Sequence, residues 1–284
     1  MATTLRPFYR DVQAHYDLSD QFYRLFLDPS MMYSCAYFRD ERMSLAAAQQ
    51  AKIDLSLNKC DLWPGMRLLD IGCGWGSTAL RAARGFGVQA IGLTLSRNQR
   101  AEATRRAAGN AQVEIRLQGW EEFDEPVDRI VSIGALEHFR IERYGEFFQR
   151  CRRILPADGR MMVHSIVHGN KETLQPGFAE FDHELVLFMK FIAKEIFPGG
   201  QVPPREAVLE HAAEAGFQLV QLQSLRPHYA RTLDCWAANL TRAREQALEL
   251  VSPDVYERYM RYLTGCAHYF RTGHCDVVQF TFAK

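Results

Sequence analysis

Asp70-Ile71-Gly72-Cys73-Gly74-Trp75-Gly76 stands between an apolar stretch at 66–71 (MRLLDI) and a helix-compatible stretch at 77–84, which Gly85 is placed to close. Glycines let the backbone turn tightly and approach a bound group, and a helix starting directly after them presents unpaired N–H donors. Such a turn between strand and helix is where α/β proteins hold nucleotides, although the same glycines would also serve a plain tight turn. Outward from it, residues 88–93 (VQAIGL), 113–117 (VEIRL), 129–133 (RIVSI) and 160–166 (RMMVHSI) read as short apolar strands separated by helix-length mixed segments. Parallel neighbours need a crossover of a dozen or more residues, and strands buried on both faces lose polar alternation. The spacing therefore predicts a doubly wound α/β core. Residues 218–222 (QLVQL) and 276–282 (DVVQFTF) supply two more strands, for a seven-stranded, mostly parallel sheet with helices on both faces.

With 284 residues, 47% of them hydrophobic, the chain can bury one sizeable core, and a single domain over 1–284 is expected. Within it, 1–60 reads as an N-terminal helical cap, 61–166 as the nucleotide-binding core, and 167–284 as the remaining strands with helical excursions at 169–216 and 229–272. In the cap, Leu45, Ala48, Ala51 and Leu55 recur at helical steps. The excursions fall over the carboxyl ends of the strands, where open α/β sheets bind ligands, and predict helical lids above a deep pocket. The 34 Lys+Arg balance 34 Asp+Glu, so no net charge draws the chain to nucleic acid or an anionic membrane. No uncharged run is long enough to cross a bilayer, and MATTLRPF lacks the apolar centre of a signal peptide, so a cytoplasmic protein is expected, at most in transient contact with a membrane. Seven cysteines without a Cys-x-x-Cys pair fit reduced thiols. His164 and His168 are four apart, but no third ligand stands at suitable spacing, so no metal is expected.

A dinucleotide fingerprint requires Gly-x-Gly-x-x-Gly and an acid about 20 positions on. Here the third glycine comes one residue early, and the second strand ends in Thr94-Leu95-Ser96 without an acid. The Asp-x-Gly-x-Gly-x-Gly form instead resembles motif I of the class I, Rossmann-like methyltransferases that use S-adenosylmethionine. That likeness implies Gly72 and Gly74 under the amino-acid part of the cofactor, with Asp70 and Gly76 of the same motif among the cofactor-binding positions.

Further motifs narrow the resemblance. They are His15-Tyr16-Asp17-Leu18-Ser19-Asp20, Leu27-Asp28-Pro29, Tyr33-Ser34-Cys35-Ala36-Tyr37-Phe38, Thr94-Leu95-Ser96-Arg97-Asn98-Gln99, Gly119-Trp120, Glu137-His138-Phe139, Phe197-Pro198-Gly199-Gly200 and Leu263-Thr264-Gly265-Cys266. In this order, over essentially the whole chain, they resemble the cyclopropane-fatty-acid synthase family, most closely its mycolic-acid branch. The resemblance implies a long-chain unsaturated acyl substrate. Phospholipid-modifying members carry an extra N-terminal domain, whereas this chain begins almost at His15-Tyr16, which leans toward an acyl carrier protein as the substrate's bearer. Arg140, Arg143, Arg150, Arg152 and Arg153 could form a basic patch for such a carrier, or simply a solvated helix face.

By the same resemblance, Tyr33 and Ser34 reach the cofactor's carboxylate, Thr94, Leu95 and Gln99 its ribose, and Trp120 and Glu121 its adenine. Methyl transfer to an alkene leaves a carbocation on the chain, which demands a dry pocket lined with π faces. Tyr16, Phe139, Tyr229 and Phe270 are candidates. Ring closure then needs a base, and the family implies bicarbonate held by Cys35, Glu137, His164, the Ile166 backbone and Tyr229. A buried oxyanion needs hydrogen-bond donors on several sides, while a carboxylate such as Glu137 can accept the bicarbonate hydroxyl proton. Members of this branch can instead quench the cation with water or lose another proton, leaving a methyl branch, and the residues leave that choice open. An ordinary small-molecule methyltransferase is disfavoured by Glu137, His164 and Tyr229 together. A non-catalytic lipid or carrier-binding module is the alternative from another class.

Overall fold

The computed structural model describes residues 5–8, 18–179 and 183–284. His15, Tyr16 and Asp17 lie outside the described residues. Helices α1 (Asp20–Arg24) and α2 (Leu45–Asn58) precede the sheet. The first half of the sheet follows as β1 (Arg67–Ile71), α3 (Ser77–Phe86), β2 (Gln89–Thr94), α4 (Arg97–Ala107), β3 (Val113–Leu117), β4 (Arg129–Ile133), α5 (Tyr144–Ile154) and β5 (Arg160–His168). Beyond it come α6 (His183–Phe191), which runs into a π-helical turn at Ile192–Ile196, then α7 (Arg205–Glu214) and β6 (Gln218–Ser224). The chain ends with α8 (Arg226–Arg242), α9 (Arg244–Leu250), α10 (Pro253–Thr272) and β7 (Cys275–Ala283).

All seven expected strands form one sheet, in the order β3-β2-β1-β4-β5-β7-β6. The first five are parallel, and β7 inserts antiparallel between β5 and β6. This is the class I methyltransferase arrangement that motif I implied. The order reverses between β1 and β4, so their carboxyl ends splay and open a crevice at that point. Phe147 and Phe148 of α5 pack with Phe280 and Phe282 of β7 on one side of the sheet. Phe22, Phe26, Trp236, Tyr259 and Leu263 pack α1, α8 and α10 together beyond the crevice. Serine hydroxyls start four helices: Ser19 accepts from Phe22 N at 3.3 Å, Ser44 from Ala47 N at 3.2 Å, Ser96 from Gln99 N at 3.2 Å and Ser252 from Val255 N at 3.4 Å. Among the described residues no helix is long and apolar enough to cross a membrane.

Two expectations are corrected. Helix α3 does not stop at Gly85 but continues to Phe86, because Gly87, with φ of 68°, supplies the left-handed residue that ends it. Nor is the N-terminal part mainly helical over its described residues, since 28–44 carries no helix. Proline at position 29 removes a donor, and the Asp28 carboxylate takes up local N–H groups instead, from Ser30 at 2.9 Å and Met32 at 3.2 Å.

Phe148 is fully buried and meets Phe147, Phe217 and Phe282 edge-on or nearly so. Phe148→Ala is expected to lower unfolding stability by about 3–5 kcal/mol through the cavity it leaves, read as a lower urea midpoint. A loss below about 1 kcal/mol would show that this contact does not anchor α5 to the sheet.

Candidate active site

Two cavities open above the carboxyl edge of the sheet and share Gly134 and His138 as walls. The smaller, about 80 Å³, lies over the ends of β1 and β2 and is lined by Gly72, Gly74, Thr94, Leu95, Gln99, Trp120 and Glu121. The larger, about 730 Å³, lies over β5 and under α6, α8 and α10. It holds Tyr33, Ser34, Cys35, Glu137, His164, Ile166 and Tyr229, and continues between Leu185, Phe188, Ile192, Leu233 and Phe270. Every expected site residue that is described therefore lines one cavity or the other, except Asp70 and Gly76. The expectation for Tyr16 lies outside the described residues.

In the smaller cavity, Gly72 has φ of 80° and a Cβ there would stand 2.4 Å from Ala135 Cβ, so loop and β4 can approach only through glycine. At Gly74 a Cβ would project into open space, which leaves the backbone bare toward a ligand. Asp70 sits beneath the loop, 2% exposed, and accepts from the Ala79 backbone, fixing the start of α3. Burial pushes its carboxyl up to about 7, against the pull of Lys52. Gly76 likewise caps α3, with φ of 82°, and faces Ala103. The Thr94 hydroxyl donates to Gln99 Oε1 at 2.9 Å and so turns the amide nitrogen outward as a donor. Trp120 rests against Phe139 and Phe147, with ring centroids 5.8 and 5.3 Å away. Glu121 presents a buried Oε2 with no partner among the described residues, an acceptor suited to an exocyclic amino group. Phe8 also lines this cavity.

In the larger cavity, Glu137 follows β4 and its Oε1 accepts from Ile166 N at 2.6 Å. The Ile166 N–H is thereby committed to orienting Glu137. The other oxygen, Oε2, is shielded and has no partner among the described residues. Burial pushes the Glu137 carboxyl up to about 7, only partly opposed by the Ile166 N–H. Burial and then the Lys52 and Lys59 charges hold the His164 imidazole well below its ordinary value, so it is neutral, and its Nε2 has no partner among the described residues. The Cys35 thiol donates to Ala36 O at 3.1 Å, and burial pushes it far above its ordinary value, which leaves no thiolate nucleophile. Tyr229 and Phe270 face each other at 4.6 Å between centroids. Phe139 is a wall of the smaller cavity instead, against Trp120. Among the described residues no group of His, Cys, Asp and Glu could hold a metal ion.

These residues fit both groups implied by the family resemblance. An unpartnered carboxylate oxygen beside an indole suits an adenine, and a bare glycine turn suits the methionyl part. An imidazole nitrogen without a partner among the described residues, beside a carboxyl, suits a small oxyanion.

The sequence reading missed the layer below. Lys52, fully buried, donates to Ser34 Oγ at 2.8 Å, and Gln49 Nε2 donates to Ser34 O at 2.8 Å. Burial pulls Lys52 down to about 8. Since an ammonium only donates, Ser34 keeps its own proton to offer into the cavity. The signal was available, because Gln49 and Lys52 stand at the steps of the apolar face of α2. His138 was passed over as well, although it walls both cavities; burial lowers it to about 4 and keeps it neutral. Three of the five arginines are engaged within the chain: Arg143 donates to Arg6 O at 2.9 Å and to Glu121, Arg150 donates to Phe123 O at 3.0 Å, and Arg140 and Arg143 stand over the Phe8 ring.

Comparison with known proteins agrees with this geometry. The chain is 53% identical to the cyclopropane mycolic acid synthase MmaA2 of Mycobacterium tuberculosis, over the full length of both, and superposes on its structure with a TM-score of 0.96 over 99% of this chain and all of that one. The structure of mycolic acid cyclopropane synthase CmaA1 complexed with SAH and CTAB is 53% identical, with a TM-score of 0.95 over 99% of this chain and all of that one. Coclaurine N-methyltransferase, 20% identical, shares the fold with a TM-score of 0.80 over 99% of this chain and 84% of that one. The family model described as mycolic acid cyclopropane synthetase matches residues 3–280, and the chain belongs to that family.

Proposed function

We propose that this protein transfers the methyl carbon of S-adenosylmethionine to a double bond of a long, mycolic-type acyl chain carried by an acyl carrier protein, and closes it into a cyclopropane ring. The observation that carries this reading is the junction of the two cavities at Gly134 and His138. It joins a nucleotide-type cleft to a long pocket walled by Leu185, Phe188, Leu233 and Phe270. The relative solved with SAH and CTAB supports it, since CTAB carries a long alkyl tail.

In this reading Thr94, Leu95, Gln99, Trp120 and Glu121 hold the nucleoside end of the cofactor, Gly72 and Gly74 lie under its amino-acid part, and Tyr33 and Ser34 reach its carboxylate. When bound, S-adenosylmethionine supplies an electrophilic methyl group, and bicarbonate supplies a base. The residues do the rest. The walls of the larger cavity exclude water from a cation that water would trap, and the Tyr229 and Phe270 rings offer π faces worth about 0.5–2 kcal/mol each toward positive charge. His164, Tyr229 and the Cys35 backbone would hold the oxyanion, since the Cys35 thiol proton is spent on Ala36 O. Glu137, oriented by Ile166, would accept its hydroxyl proton as a carboxylate. The 284 residues are proposed to act as one methyltransferase domain.

Glu137→Gln preserves shape and the contact to Ile166 but removes the basic oxygen. Turnover is expected to fall about 10²–10⁴-fold, with S-adenosylmethionine affinity unchanged by calorimetry. Full turnover in this variant would refute the assignment of Glu137 as the proton acceptor.

The pH dependence has a definite sign. With its carboxyl raised to about 7, Glu137 is protonated below that pH and cannot accept a proton. On the acid side kcat/KM should therefore fall about tenfold per pH unit below 7 and level off above it. A flat profile between pH 5 and 7 would contradict the assignment, and Glu137→Gln should erase the acid limb.

A further inference from the structure

His164 of β5 pairs with Gln279 of β7, and Gln279 pairs with Gln223 of β6, so the three side chains form one cross-strand row on the same face of the sheet. Lys59, at the end of α2, lies over that row. Its Nζ donates to Gln223 Oε1 and to Gln279 Oε1, each at 2.6 Å. An ammonium has three donors and no acceptor, so the carbonyl end of the Gln279 amide must face it. Burial pulls Lys59 down only to about 8, which leaves it charged at neutral pH.

The nitrogen end of Gln279 is then fixed on the other side, and both its hydrogens have acceptors. One goes to Ser56 Oγ at 3.0 Å, whose own proton is spent on Lys52 O at 2.8 Å. The other goes to His164 Nδ1 at 3.3 Å. Gln279, Ser56 and His164 are all at most 2% exposed, so no water competes for these contacts. An imidazole nitrogen that accepts carries no proton, so a neutral ring must carry it on Nε2. That nitrogen is the one without a partner among the described residues, on a residue lining the larger cavity.

We propose that Gln279, its amide locked by Lys59, is a positioning residue that fixes His164 as the Nε2–H tautomer and thereby makes it a donor to an anion in the larger cavity. This rests on the reading of His164 as an anion ligand. Neither Lys59 nor Gln279 touches the cavity, and they act only through the ring. The row settles which way the imidazole presents its proton before any ligand arrives.

The test is long-range proton–nitrogen correlation spectroscopy on histidine-labelled protein at pH 7, with His164 assigned through His164→Ala. The wild type should show a neutral ring protonated at Nε2. Nδ1–H or imidazolium at His164 in the wild type overturns the proposal whatever Gln279→Glu does. Gln279→Glu keeps an acceptor for Lys59 but has no N–H for the ring. It should move the His164 proton to Nδ1 or charge the ring, and lower turnover about 10- to 100-fold at unchanged S-adenosylmethionine affinity. Normal turnover in Gln279→Glu, where His164→Ala is inactive, would overturn the positioning role but leave the anion reading standing. Normal turnover in both would remove the anion reading and the proposal with it.

Discussion

A carboxyl placed where water is scarce is the constraint on which the rest of the site depends. Glu137 has one oxygen tied to Ile166 N and the other shielded without a partner among the described residues, and burial pushes it up to about 7. Such a group is costly unless its surroundings supply dipoles or a neighbouring charge. The sheet meets the need in part with a backbone N–H from β5, which also aims the carboxyl into the cavity. The same dryness that makes Glu137 basic keeps His164 neutral and Cys35 a thiol. One physical cause therefore sets the protonation of three neighbouring groups.

The buried face of α2 is the counterpart of that dry pocket. Gln49 and Lys52 reach Ser34, Ser56 reaches Gln279, and Lys59 joins β6 to β7. A buried polar network of this kind is stable only when its members are satisfied, and it then holds side chains in one geometry. Here it braces both the serine beside the cofactor cleft and the histidine in the larger cavity. Helix α2 is thus as much a part of the site as the strand ends it covers.

Much of this was legible in the chain. Strands buried on both faces read as apolar runs, so β4 coincides with the stretch 129–133, while the half-buried edge strand β3 coincides with the alternating stretch 113–117. The glycine loop, Glu137, His164 and Tyr229 declared themselves because their motifs sit at strand ends or in the excursions that close over them. What stayed hidden has a common physical reason. Ser56, Lys59, Gln223 and Gln279 are polar residues that usually face water, and only the folded placement of the end of α2 against β6 and β7 shows that they face each other. The end of α3 was misread because Gly85 tolerates helical angles while Gly87 adopts φ of 68°. The arginine run read as a carrier patch or a solvated face, yet Arg143 and Arg150 are spent on Arg6 O, Glu121 and Phe123 O.

The central claim is that a methyl carbon enters a double bond and loses a proton in a dry pocket. It is tested most directly by mass spectrometry of the product formed from S-adenosylmethionine with a trideuterated methyl group and a cis-unsaturated long acyl chain on its carrier protein. Ring closure removes one deuteron, so the account predicts product retaining two deuterons per modification. Product retaining three, with or without an added oxygen from water, would contradict it.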